Sequence, residues 1–325
     1  MREAMAGAEL GDDVWGEDPT INRLQEIAAE LLGKEAALFV SSGTMGNLLG
    51  LLVSARSGQE VIADADSHVF LSEAGGAAAL GGIQIMPVKT KAGIMTPEQV
   101  ADAIREEDVH HPRTVAVSIE DTHNYHGGIA WPLLDLRAVA DEAHRQGLSV
   151  HLDGARLFNA AVATRTDPKE IAACADTVTF CLSKGLGAPV GSVLLGPAEK
   201  IAEAKRWRKM LGGGMREIGM LGAAGLYALD NMVDRLAEDH TNARTLAEGL
   251  AEMDGVRIDL TRVQTNLVIF ELERMAPGAF VAECDKRGVK CARVSRRDVR
   301  FVTHYGIDAA DIQEALKVAA EVLAY

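Results

Sequence analysis

Several things are scarce in this 325-residue chain, and each scarcity removes a class of function. Aromatic residues make up 4% of it, and basic residues are outnumbered, 33 Lys and Arg against 47 Asp and Glu, for a net charge of -14. A nucleic-acid partner or an anionic membrane needs a basic surface, so both are excluded as expected partners. No apolar run is long enough to span a bilayer, and the first residues, Met1-Arg2-Glu3-Ala4-Met5, lack the apolar stretch of a signal peptide. The four cysteines, Cys174, Cys181, Cys284 and Cys291, form no C-x-x-C pair, which in a chain of this length reads as reduced thiols in a cytoplasmic protein. The nine histidines include no H-E-x-x-H, so no metal site is expected.

What is present is a globular balance: 48% hydrophobic residues, 25% charged residues and 32 glycines. Asp18-Pro19 starts a helix whose apolar stripe, Ile21, Leu24, Ile27, Ala28, Leu31 and Leu32, ends at Gly33. Apolar runs follow at 36–40, 60–63, 83–88, 114–119, 148–152, 178–182 and 192–195, with helical patterns between most of them, such as 97–105 and 134–146. Continuous apolar strands alternating with helices predict an α/β fold with a mostly parallel sheet. The run at 192–195 follows its predecessor too closely for a helical crossover and is expected to be antiparallel. The pattern changes after residue 230. A long helix over 231–253, strands near 256–260, 265–272 and 300–303, and a last helix from Ala309 predict a small α+β domain over 231–325, beside a large domain over 1–230.

In open α/β sheets ligands bind beyond the carboxyl ends of the strands, so the polar residues there are the candidates. Lys184 is the only charged residue between Thr177 and Ala198. In that apolar, glycine-rich setting a lysine loses solvation, which favours its neutral, nucleophilic amine. A surface lysine at a strand end is the plainer alternative. Asp153 ends a run about one βαβ unit upstream, where a carboxylate could pair with a protonated pyridine nitrogen; an Asp before Gly is also an ordinary turn. The pair is far more specific than either member. Ser42-Gly43-Thr44 precedes a helix and could hold a phosphate, or could be a simple cap. His68 and His123 each follow a strand and are candidates for stacking and acid–base work, against the alternative of core histidines; His126 is harder to assign. The glycine-rich stretches at 185–191 and 212–214 lack the spacing or the preceding strand of a nucleotide loop.

Taken together, these residues resemble the low-specificity L-threonine aldolases, in the aspartate-aminotransferase-like, fold type I group of pyridoxal-phosphate enzymes. The likeness covers nearly the whole chain. It is carried by G-D-D-V-W-G-E-D-P-T (11–20), S-S-G-T-M-G-N (41–47), D-S-H (66–68) with E-A-G-G (73–76), E-D-T-H-N (120–124) with G-G (127–128), H-L-D-G-A-R (151–156), S-K-G-L-G-A-P-V-G-S (183–192), L-G-G-G-M-R (211–216), Q-T-N (264–266) and R-F-V-T-H (300–304). The resemblance implies cleavage of L-threonine, L-allo-threonine and related β-hydroxy-α-amino acids to glycine and an aldehyde, a place in glycine biosynthesis, and pyridoxal 5'-phosphate as cofactor. It implies that Lys184 carries the cofactor as a Schiff base, Asp153 binds the pyridine nitrogen, Arg156 lies near the phenolic oxygen, Gly43 and Thr44 hold the phosphate, and His68 stacks on the ring. His123 would lie beside the substrate's β-hydroxyl and Arg300 would bind its carboxylate. Lys209 and Arg216 would reach a neighbouring subunit's phosphate in a homotetramer with shared sites. Members of the family usually begin with a segment containing Arg-Ser-Asp-Thr, whose serine helps hold the carboxylate. This sequence starts beyond it, so a truncated start or an incomplete site is expected. Trp15 and Ser72 stand where tyrosine is common, which bears on substrate preference. A β-eliminating lyase or aminotransferase of the same fold, or a non-catalytic homologue, would carry nearly the same cofactor residues.

Overall fold

The computed structural model describes residues 1–324. Seven strands form the central sheet: β1 (Ala36–Val40), β2 (Glu60–Asp64), β3 (Gln84–Val88), β4 (Thr114–Glu120), β5 (Ser149–Asp153), β6 (Thr177–Cys181) and β7 (Ser192–Gly196), in the order β1-β7-β6-β5-β4-β2-β3. The β3, β2, β4, β5 and β6 ladders are parallel, while β7 runs antiparallel to both β1 and β6, as the short 182–191 connection requires. The sheet is covered on both faces, which is why β2, β6 and β7 are buried along their whole length. One layer holds the helices Pro19–Leu32, Leu133–Arg145, Leu157–Thr164 and Gly219–Asn231; the other holds Gly43–Leu52 and Ala198–Met210.

Local chemistry accounts for these elements. Asp18 caps the helix Pro19–Leu32 by accepting from the Thr20 and Ile21 N–H groups, and Gly33 closes it at φ 63°. A cap of this kind is worth about 1 kcal/mol. The same Asp18 carboxylate also receives the Gly11 and Gly219 N–H groups, tying the amino-terminal stretch to the helix Gly219–Asn231. Nearby, Arg208 and Asp13, each 2% exposed, form an ion pair at 2.7 Å, and Arg208 also donates to the Phe39 carbonyl.

A second sheet, all antiparallel, contains β8 (Val256–Arg257), β9 (Leu267–Leu272), β10 (Ala292–Arg293) and β11 (Asp298–Val302) in the order β10-β11-β9-β8. The helices Leu236–Ala251, Pro277–Lys286 and Ala309–Leu323 cover it around a separate apolar cluster that includes Phe270, Phe280 and Phe301. Residue 231 closes the helix Gly219–Asn231, and the helix expected over 231–253 is Leu236–Ala251, which starts five residues later. The first packs through glycine against Ile21, with the Cβ position of Gly222 at 3.1 Å from its backbone. The second packs on the small sheet, and one straight rod could not serve both surfaces. No helix among the described residues is long and apolar enough to cross a membrane.

Candidate active site

The carboxyl ends of β2, β4, β5 and β6 deliver Asp64, Glu120, Asp153 and Cys181 to one edge of the sheet. Register sets them side by side: Asp153 pairs with Glu120 on one flank and Thr179 on the other. Above them the helix Gly43–Leu52 is pressed unusually close to the strands. A Cβ on Gly43 would lie 2.8 Å from Cys181 Sγ, one on Gly46 2.5 Å from Thr179, and one on Gly50 2.2 Å from the His151 ring. A stripe of glycines three and four residues apart lets the helix settle at that distance, with its positive N-terminal end at the strand ends. Ser42 caps it by accepting from the Met45 N–H.

Between these elements lies a cavity of about 240 Å³, lined by Ser42, Gly43, Thr44, Asn47, His68, Glu73, Asp153, Ala155, Cys181, Ser183 and Lys184. Five residues singled out in the sequence, Gly43, Thr44, His68, Asp153 and Lys184, therefore share one wall system. Lys184, however, is exposed at the rim, not buried. The apolar residues flanking it, Leu182, Leu186 and Ala188, turn down into the core and leave the lysine on top of the loop. It makes no ion pair among the described residues.

Asp153 is 2% exposed; one of its oxygens accepts the Ala155 N–H at 3.0 Å and the other accepts Asn47 Nδ2 at 2.8 Å. Asn47 also donates to Glu73 Oε1 at 2.7 Å. With both amide hydrogens spent on carboxylates, its Oδ1 must accept from His151 Nε2, and His151 Nδ1 then accepts from Thr177. This requires a neutral His151, which matches a pKa pushed down to about 4 by burial. Neither Asn47 nor Glu73 was assigned a role from the sequence. The available signal was helical spacing, which puts Asn47 four residues beyond Gly43 on the same face.

His68 donates from Nδ1 to Glu73 Oε1 at 2.9 Å, and its backbone N–H donates to Glu120 Oε2 at 2.6 Å. The hydrogen bond to Glu73 raises its pKa; burial opposes this, and the charges of Asp153, Glu73 and Glu120 add to the rise. Glu120 accepts the Asn124 N–H through its other oxygen at 2.8 Å. Asn124 Oδ1 in turn accepts from Arg300 Nη1 at 2.8 Å and lies 3.5 Å from Arg156 Nη1. Neither arginine has a carboxylate partner among the described residues, and the Nε of each is buried without a hydrogen bond. Burial lowers the pKa of both, and for Arg156 the neighbouring Arg300 charge adds to the fall. Two guanidiniums side by side, neither in contact with a carboxylate among the described residues, can receive an anion, although Glu120 and Asp153 act on Arg156 from a distance.

His123 is placed differently from the expectation. It is fully buried, is not part of the cavity wall, and donates from Nε2 to Asp64 Oδ1 at 3.1 Å. Burial works against its charged form, but the bond to Asp64 and the nearby carboxylates outweigh it, and the net shift is upward. Lys209 and Arg216 are exposed and also lie off this cavity. Lys209 borders a separate groove of about 630 Å³ with Lys205 and Arg206, and Arg216 donates to Asp12 at 2.7 Å.

Two groups of residues have the composition of a metal site. In Asp64, His123 and His126 the candidate ligand atoms lie within 4.8 Å of one another. Arg262 Nη2, which can only donate, reaches His126 Nδ1 at 2.9 Å, so His126 carries its proton on Nε2 and offers no lone pair there. In His68, Glu73 and Asp153 the imidazole and both carboxylates are already joined through Asn47 and the His68–Glu73 bond.

Residues 1–273 match the family model described as beta-eliminating lyase. The chain is 44% identical over 315 residues to the low-specificity L-threonine aldolase of Escherichia coli, covering 97% of this chain and 92% of that one. It is 42% identical over 323 residues to low-specificity L-threonine aldolase 1 of Arabidopsis thaliana, covering 97% and 90%. Its fold matches that of a putative L-allo-threonine aldolase from Listeria monocytogenes, with TM-score 0.82 and 24% identity over 98% of this chain and 92% of that one. The chain thus belongs to the beta-eliminating lyase family, among relatives that are low-specificity L-threonine aldolases.

Proposed function

We propose that this protein is a pyridoxal-phosphate enzyme that cleaves L-threonine, L-allo-threonine and related β-hydroxy-α-amino acids to glycine and an aldehyde. The observation that carries the proposal is the sharing of one cavity by Lys184, Asp153 and the Gly43-Thr44 helix start. The donor set fits the cofactor. Asp153 is a buried carboxylate whose oxygens each accept one hydrogen bond among the described residues, so it retains acceptor capacity for a pyridine N–H. The Gly43–Leu52 helix end suits a phosphate, and Lys184 offers at the rim an amine without an ion pair among the described residues. When bound, pyridoxal phosphate supplies an electron sink at the substrate's Cα.

The chain's own groups then divide the work. Asp153 would accept the pyridine N–H of the bound cofactor, and His68 covers the cavity from the side of Glu73. Arg300, with Arg156 beside it, receives the substrate carboxylate by a charge-assisted contact and so fixes the orientation of Cα. Removal of the β-hydroxyl proton falls to His68, the imidazole on the cavity wall, with buried His123 supporting the loop behind it. The exposed cations Lys209 and Arg216, with Trp15 74% and Met210 72% exposed nearby, support a homotetramer in which they complete a neighbour's site. The four free cysteines support a cytoplasmic setting, and the change of pattern near residue 230 supports a large cofactor-binding domain with a small carboxylate-binding one. Incubation with L-threonine, with glycine, acetaldehyde, ammonia and pyruvate all measured, tests the proposal. Stoichiometric glycine and acetaldehyde are expected; ammonia with a 2-keto acid would replace the aldolase reading by a β-eliminating one.

A further inference from the structure

We infer that Asn124 is the positioning residue of the substrate-carboxylate site: it gathers Arg300 and Arg156 around a neutral acceptor and so holds both in place without consuming their charge. The inference deepens the proposed function and rests on it. Arg300 comes from β11 of the small sheet and Arg156 from the turn after β5, so the two guanidiniums reach the same spot from different cores. Like charges brought together in a half-buried place repel, and something between them must offset that cost.

Among the described residues, the acceptor shared by both at that point is Asn124 Oδ1, 2.8 Å from Arg300 Nη1 and 3.5 Å from Arg156 Nη1. Asn124 is itself fixed, because its N–H donates to Glu120 Oε1 at 2.8 Å, and Glu120 Oε2 takes the His68 N–H at 2.6 Å. The same carboxylate therefore sets the backbone of both the cavity imidazole and the arginine clamp. A carboxylate at position 124 would hold the arginines more tightly and also neutralise them, leaving less charge for an incoming anion. A neutral amide supplies the hydrogen bond and leaves the pair's charge in place. The unpartnered, buried Nε atoms of Arg156 and Arg300 show that the clamp still has donors to spend.

The test uses the holoenzyme and two probes, glycine and glycine methyl ester, each titrated through the visible absorbance of the bound cofactor. Asn124→Asp is nearly isosteric and adds one negative charge. The expected result is a glycine Kd raised about 10- to 100-fold, the range of a charge-assisted contact, with the ester Kd within about twofold of wild type. Equal weakening of both probes, or no weakening of glycine, overturns the inference, since the first means general damage and the second means the charge at 124 is irrelevant. Asn124→Ala is the second variant. It removes the acceptor and leaves the charges, so glycine should weaken by about tenfold, less than in N124D, again with the ester unmoved. An unchanged glycine Kd there also overturns it. A wild-type enzyme that binds glycine and its ester equally would sink the carboxylate site itself, whereas a wild-type preference that survives in N124D sinks only the role of Asn124.

Discussion

Replacing Glu73 by glutamine separates charge from shape at the centre of the site. Glu73 is 7% exposed, and its Oε1 receives both Asn47 and His68. Glutamine keeps the volume and an acceptor oxygen but removes the negative charge that raises the His68 pKa. A group whose folded pKa is raised stabilises the fold fully below its unfolded value, near 6.5 for histidine, and that contribution is lost as pH rises through the folded value. A hydrogen bond between charged groups is worth about 1.5–3 kcal/mol, and with the His68 side chain 30% exposed the lower end applies. At pH 5.5 the variant should therefore be less stable by about 1.5 kcal/mol. At pH 9, where His68 is neutral in both proteins, that loss disappears, and removal of a buried carboxylate makes the variant equal to or more stable than wild type. Denaturant unfolding of the holoenzyme at the two pH values measures the difference. In activity, the limb that depends on neutral His68 should move to lower pH in E73Q. A stability loss of the same size at both pH values, or one larger at pH 9, would refute the charge argument and leave Glu73 as a packing residue.

Arg300→Lys keeps the charge but loses the two-point fork, so the KM for L-threonine should rise about 10- to 100-fold with a smaller change in kcat, read from steady-state kinetics. Gly50→Ala places a methyl group 2.2 Å from His151 and should cost about 1–3 kcal/mol, measurable as a shifted denaturant midpoint; an unchanged midpoint would mean that the helix is free to retreat from the sheet. Asp13→Ala leaves Arg208 buried without its ion-pair partner and should cost about 3–5 kcal/mol by the same measurement.

The fold was largely legible in the sequence because its signals are local. Apolar runs bounded by glycine and polar clusters gave all seven strands of the central sheet to within a residue or two, and the short stretch after Lys184 gave the antiparallel direction of β7. The helix expected over 231–253 exists but starts at Leu236, because Asn231 belongs to the preceding helix and residues 232–235 form the turn between the two. At the site, Gly43, Thr44, His68, Asp153 and Lys184 were legible from their positions after strands. Asn47, Glu73, Glu120 and Asn124 were not assigned, since the contacts that tie them into the site, Asn47 with Glu73 and Asp153, Glu120 with His68 and Asn124 with Arg300, join residues tens of positions apart, and a single sequence does not reveal such pairs. Lys184 shows the complementary error: composition around it was read as its environment, but it stands above its apolar neighbours. His123 was singled out by its place after a strand, and that place encloses it between Asp64 and the loop around Gly93.

The central claim is that Lys184 holds pyridoxal phosphate in the cavity it shares with Asp153. Borohydride reduction of the purified protein, followed by peptide mapping with mass detection, tests it most directly. The account predicts a single phosphopyridoxyl label, on the peptide containing Lys184 and absent from Lys184→Ala; a label on another lysine, or no label at all in protein supplied with the cofactor, would contradict it.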